Sequence, residues 1–266
     1  MEMHPWKFPP HHAVSARFVV MSTTPTSTLG ALEIGSLLGV FLFGVVSLQT
    51  FNYYATYPDD SWVNKTLIAV IWVCDLVHTV GVNYEVYRTT IIDYGRPDSL
   101  LKLTVIGAVT LFGALVTLLV QTFFSIRLAK LLPPPYDKIG TVCIAISTVR
   151  FAGAVYITVC GVTAPSLADF RHKVSWLVSA TFAVSAAVDV AIAVSMLYYL
   201  VRQRGEGTYR ISKILDRLIT YTVRSGLITS ISAIALVICF QTMPDNLVWM
   251  AVYAFVPKCE YAHRIV

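Results

Sequence analysis

Long apolar runs separated by short polar breaks dominate the chain, and the runs have helical length: about 29–53, 63–87, 100–130, 139–162, 174–201 and 214–241. Each reaches the roughly 20 residues that a helix needs to cross the hydrocarbon core of a bilayer. None shows the period-two alternation of a half-buried strand. A seventh run, Asn246 to Val256, is shorter. Before Pro257 it supplies about 16 Å of helix at about 1.5 Å per residue, against a core of about 30 Å. The pattern predicts an all-α, polytopic transmembrane helix bundle of seven helical segments, six complete and the last short. It divides the chain into a polar tail at 1–28, a membrane domain at 29–256 and a short tail at 257–266.

The polar breaks support this division. Tyr53, Tyr54, Tyr57 and Trp62 around Pro58-Asp-Asp60 have the composition of a turn at the membrane surface. A loop is expected from Arg88 to Ser99, and another through Pro165, Asp169, Arg171 and His172. The third helix turns amphipathic over Gln121 to Lys130 and should stop at Pro133-Pro-Pro135. The first helix carries Gly35-Ser-Leu-Leu-Gly39, a small-xxx-small face on which a second helix can pack closely.

Composition agrees: 56% of residues are hydrophobic and 13% charged, and the mean hydropathy is +0.67, too apolar for an ordinary soluble domain. The formal charge of +5 is spread between apolar runs and forms no single patch, so it points to basic loops at a membrane surface and away from nucleic acid. The 5 cysteines fall in or beside apolar runs without metal-site or redox spacing. Lys and Arg are more numerous on one side: Lys65; Arg127, Lys130 and Lys138; Arg202, Arg204, Arg210, Lys213 and Arg217; Lys258 and Arg264. That bias predicts the N-terminus outside and the C-terminus inside. Asn64-Lys-Thr66, a glycosylation sequon, then faces the cytoplasm and stays bare.

Ionisable residues inside the apolar runs are the candidate site, because a charge in lipid is costly and is kept for a reason. Asp189 and Arg224 lie at nearly equal separations from Gly207, the centre of the turn between the fifth and sixth helices, and so at nearly one depth. They can pair, either to fix the rotation of that hairpin or to line a site. Asp75 and Arg150 fall near mid-membrane in the second and fourth helices and form a second possible pair. If both pairs face one interior, they line a polar cavity suited to a ligand or a proton path. His78, one turn after Asp75, reads as a hydrogen-bonded core histidine, since a metal would need more ligands than the sequence offers. Lys258 stands after Pro257, outside the apolar run, and so does not read as a lysine buried in a helix for Schiff-base chemistry. No Ser-His-Asp order, H-E-x-x-H, phosphate-binding loop or dinucleotide fingerprint occurs, and neither an enzyme nor a cofactor is expected.

The stretches Leu29-Gly-Ala-Leu-Glu-Ile-Gly35, Leu48-Gln-Thr-Phe-Asn-Tyr-Tyr54 with Tyr57-Pro-Asp-Asp60, Val120-Gln-Thr-Phe-Phe-Ser-Ile-Arg127, Val188-Asp-Val-Ala-Ile-Ala193 and Leu218-Ile-Thr-Tyr-Thr-Val-Arg-Ser-Gly-Leu-Ile-Thr-Ser230 resemble a large group of fungal, chiefly mushroom-type, multi-pass membrane proteins. The C-terminal half of that group is a domain of unknown function. The resemblance runs from about Leu29 to Phe255 and implies seven helices in an integral membrane protein, with no assigned activity. Such proteins usually begin near the equivalent of Met21 and continue past the seventh helix into a polar segment. By that comparison Met1 to Val20 is an extension and residues 257–266 an altered terminus.

These readings converge on a receptor-like seven-helix protein, in the plasma membrane sooner than an internal one. A small ligand would enter from the outer side, and a cytosolic partner would meet the basic face formed by Arg127, Lys130 and the 202–217 turn. The alternatives are a small transporter or channel that uses the intramembrane charges, or a structural membrane protein without a ligand.

Overall fold

The computed structural model describes residues 25–92, 104–134, 136–164, 167–204, 230–242 and 248–262. These residues form α1 (Pro25–Thr56), α2 (Trp62–Tyr87) with a π-helical turn at Arg88–Ile92, α3 (Thr104–Leu131), α4 (Lys138–Thr163), α5 (Leu167–Arg204), α6 (Ser230–Thr242) and α7 (Val248–Ala262). No strand occurs among the described residues. Five of the helices contain spans long and apolar enough to cross a membrane; the described residues of α6 and α7 form shorter apolar helices. The bundle also has the inverted surface that lipid selects. Phe41, Phe51, Val63 and Val149 are largely exposed, while Asp75, His78, Gln121, Ser125, Ser147 and Asp189 are buried.

Three expected boundaries move. The loop expected from Arg88 to Ser99 begins as helix: α2 runs on through its π turn, where the Thr89 and Thr90 hydroxyls donate to the carbonyls of Glu85 and Val86 at 2.7 Å each and Arg88 pairs with Glu85 at 2.7 Å. The loop expected through Asp169, Arg171 and His172 is instead the start of α5, which begins at Leu167 and carries Asp169 in its first turn, where a carboxylate complements the helix dipole. Most consequentially, the seventh helix does not end at Pro257. It continues to Ala262, because a proline inside a packed membrane helix forfeits one backbone hydrogen bond without forcing an end. Residues 257–262 are therefore helix and not tail. Of the tail expected at 1–28, Pro25 to Thr28 are the first turn of α1, and of the turn expected at 202–217, Arg202 to Arg204 are the last residues of α5; residues 1–24 and 205–217 lie outside the described residues, as does Arg224.

Side-chain contacts fix the direction of neighbouring helices. Tyr54 donates to the Lys65 carbonyl and Trp72 to the Ser47 hydroxyl, so α1 and α2 are antiparallel. The backbone of α2 at Gly81 approaches Val109 and that of α3 at Gly113 approaches His78. Across α3 and α4, Ser147 bonds Gln121 and Arg150 bonds the Ala114 carbonyl. α4 meets α5 at Gly153–Thr181 and Gly161–Phe170. Each sequential pair from α1 to α5 is antiparallel, as an up-and-down bundle requires. The expected small-xxx-small face finds its partner in α7, which runs parallel to α1: Gly35 lies against Ala251, and Gly39 against Ala254 and Lys258.

The turn between α1 and α2 is held by the interfacial residues. Tyr53 donates to Asp60, Asn64 Nδ2 reaches both Asp60 oxygens at 3.1 and 3.2 Å, and Lys65 donates to the Pro58 carbonyl. The Tyr53 hydrogen bond, reinforced by the Ser61 amide, Asn64 and the Lys65 charge, holds the Asp60 carboxyl below its usual range.

Candidate functional site

Among the described residues, two polar clusters inside the bundle hold the candidate residues. The first joins α2 and α7. Lys258 Nζ stands 3.1 Å from Asp75 Oδ1 and 3.1 Å from His78 Nδ1. The three residues are 1%, 0% and 0% exposed respectively, so the cluster is sealed from the surroundings. Close packing creates the seal: a Cβ at Gly39 would stand 3.7 Å from Lys258 Cε, and one at Gly113 would collide with the Tyr253 hydroxyl and stand 3.2 Å from His78 Cδ2. Tyr253 completes the wall. Its ring meets the His78 ring edge-on, with centroids 5.8 Å apart, and its hydroxyl donates to the Thr110 carbonyl at 3.1 Å.

The second cluster joins α3, α4 and α5. Gln121 is its hub: Oε1 accepts from the Ser147 hydroxyl at 2.9 Å, while Nε2 lies 3.1 Å from Ser185 Oγ, 3.3 Å from the Ser185 carbonyl and 3.2 Å from Asp189 Oδ1. Arg150 donates to the Ala114 carbonyl at 3.4 Å from the neighbouring turn of α4.

Between the clusters lies a cavity of about 90 Å³ to which every helix from α3 to α7 contributes. Its wall is mainly apolar and aromatic, with Phe170, Phe182, Phe240, Trp249 and Tyr253. Thr110, Thr117, Thr181, Ser185, Arg150 and Asp189 supply the polar atoms. Such a wall can enclose an apolar body while fixing one polar group, the usual form of a small-molecule site.

The expected site residues are thus distributed over two places. Asp189 and Arg150, expected in different pairs, line one cavity. Asp75 and His78 lie in the other cluster, and the expected pairing of Asp75 with Arg150 is not formed: Asp75 pairs with Lys258. The reason is topological, since α2 packs on α1, α3 and α7 and makes no substantial contact with α4. Arg224, the expected partner of Asp189, lies outside the described residues, as do Arg210, Lys213 and Arg217. Arg127 and Lys130 are exposed near the end of α3, and the backbone of Arg202 and Arg204 closes α5.

Lys258 is the residue that sequence reasoning misplaces, because Pro257 reads as a helix stop. A signal was present. If the helix is continued through Pro257, Ala251, Ala254 and Lys258 recur on one face at i, i+3 and i+7. That is the face that Gly35 and Gly39 receive. Gln121, a neutral amide within an amphipathic stretch, carried no comparable signal.

No curated protein and no solved structure matches the chain. A family model described as a family of unknown function, DUF6534, matches residues 185–264, the stretch that runs from Ser185 and Asp189 at the cavity to the C-terminal end of α7. Over that stretch the chain is similar to this family of unknown function, and its apolar helices are those of a multi-pass integral membrane protein.

Proposed function

We propose that the protein is a receptor-like seven-helix membrane protein, with the N-terminus outside and the C-terminus inside, that binds a small ligand in the cavity between α3 and α7. The observation that carries this reading is the cavity itself, with its aromatic wall, its hydroxyls and its two charged residues, Asp189 and Arg150. Volume narrows the ligand. A water needs about 10–15 Å³ of such space, so about 90 Å³ suits a molecule of a few heavy atoms and excludes a long chromophore or a sterol. α5 links the site to the basic end, because Ser185 and Asp189 face the cavity and the same helix ends at Arg202 and Arg204. A ligand that shifts α5 would act on a cytosolic partner at the 202–217 turn. The positive-inside bias supports the orientation, and the resemblance to fungal multi-pass proteins supports the helix number; a plasma-membrane location follows from a ligand that arrives from outside.

Phenol, indole and hexanol each combine an apolar body of suitable size with one polar group, and serve as probes. At least one should raise the melting midpoint of the purified protein, and Ala154→Leu, which fills the cavity, should remove the shift. A shift that survives the filling substitution refutes the cavity as the site. A transport reading is favoured by one feature, the polar chain Ser147–Gln121–Ser185–Asp189 across three helices. Solute flux into proteoliposomes that disappears in Asp189→Asn would decide for it.

A further inference from the structure

The ligand-binding reading leaves Asp75, His78 and Lys258 without a role. An ammonium has three N–H donors and no acceptor, so its approach to His78 Nδ1 requires that nitrogen to be a bare acceptor, with the ring neutral and its proton on Nε2. The cluster then holds one negative charge on Asp75 and one positive charge on Lys258. Among the described residues, Asp75 Oδ2 and His78 Nε2 meet no hydrogen-bond partner. An ionised carboxylate with one oxygen unsatisfied inside a membrane bundle is expensive, and a single ammonium offsets only part of that cost. The unsatisfied oxygen is also where a proton attaches with least disturbance of the contacts already made.

We propose that this cluster is a proton-binding site in which Asp75 Oδ2 takes the proton, and that protonation loosens the contact of α7 with α2. The balance is simple. One proton from the medium binds the carboxylate, the cluster passes from net zero to one positive charge, and the bond that weakens is the ion pair between Asp75 Oδ1 and Lys258 Nζ. α1 presents Gly35 and Gly39 to α7, and α3 presents Gly113 to His78. Among the described residues, the titratable neighbours include Cys74, next to Asp75 in α2 and packed with Val46 and Val116, and Tyr253 of α7 against His78. Glu85 lies farther along α2 and pairs with Arg88. Loosening α7 has a defined consequence: Tyr253 sits about one turn before Lys258, rests on His78 and lines the cavity. The proposal does not depend on the cavity having a ligand.

The test uses the full chain in phosphatidylcholine nanodiscs. Infrared difference spectra between neutral and mildly acidic buffer should show a protonated-carboxyl band in the wild type. Asp75→Glu, which keeps the charge and the ion pair, should move that band to a different frequency. The neutral pair D75N/K258Q, which leaves no unpaired charge, should lack it. Hydrogen–deuterium exchange over 248–262, corrected for its intrinsic pH dependence, should rise several-fold in acid in the wild type and stay unchanged in the neutral pair. A wild type without the band, a band unmoved in Asp75→Glu, or equal exchange in the wild type and the neutral pair would each overturn the proposal.

Discussion

Gln121 illustrates how much one side chain can settle inside a membrane bundle. Its amide accepts from Ser147 and donates toward Ser185 and Asp189, and so ties α3 to α4 and α5 through one fully buried group. Hydrogen bonds between membrane helices contribute about 0.6 kcal/mol each on average, up to about 1.7. A buried partner left unsatisfied adds about 1–3 kcal/mol of penalty. Gln121→Leu keeps the bulk and removes every one of these bonds, so it should destabilise the bundle by about 1–3 kcal/mol. Denaturant unfolding of the variant in mixed micelles measures this, and a loss below about 0.5 kcal/mol would mean that the amide is not the hub. At this scale four ionisable residues of the interior, Asp75, His78, Arg150 and Asp189, were legible in the sequence, because a charge in an apolar run is conspicuous. Their partners were not legible, since a partner is chosen by helix neighbourhood.

At the scale of elements, the contact between α1 and α7 decides where the second half of the chain closes on the first. A Cβ at Gly35 would stand 2.5 Å from the Ala251 carbonyl oxygen and 2.8 Å from its Cβ, whereas nothing lies within 4 Å of a Cβ at Gly44 on the same helix. Gly35→Val should therefore push the two helices apart at a cost of about 1–3 kcal/mol, in the range of overpacked cores. Gly44→Val, which meets open space, serves as the control. Thermal midpoints of the two variants test this, and equal midpoints would refute the close approach. The small-xxx-small spacing was visible in the sequence, but any helix of the bundle could have filled it. Pro257 shows the converse. Local chemistry marks it as a stop, and only packing against α1 and α2 carries the helix past it to place Lys258 beside Asp75.

For the molecule as a whole, the alternation of antiparallel neighbours puts the α1–α2 turn, the end of α3, the start of α4 and the end of α5 at one face of the bundle. Asn64, Arg127, Lys130, Lys138 and the backbone of Arg202 and Arg204 share that face. Lys258 belongs to the interior and not to the inner surface, and the remaining basic residues still leave the bias in the same direction. With this face in the cytoplasm, Asn64 should carry no glycan when the protein is made in eukaryotic cells, and endoglycosidase treatment should leave its gel mobility unchanged. A mobility shift that vanishes in Asn64→Gln would invert the orientation.

The sequence alone determined the class of the molecule, because the number and length of apolar runs follow from the thickness of the bilayer and need no knowledge of neighbours. It also marked most of the buried charges, since their cost in lipid is a property of the residue. Only the tertiary structure decided which charges meet, that Pro257 lies inside a helix, and that a cavity opens between the two clusters. Each of these depends on which helices are adjacent and how they are rotated, and a sequence in which almost every face is apolar carries little record of that choice.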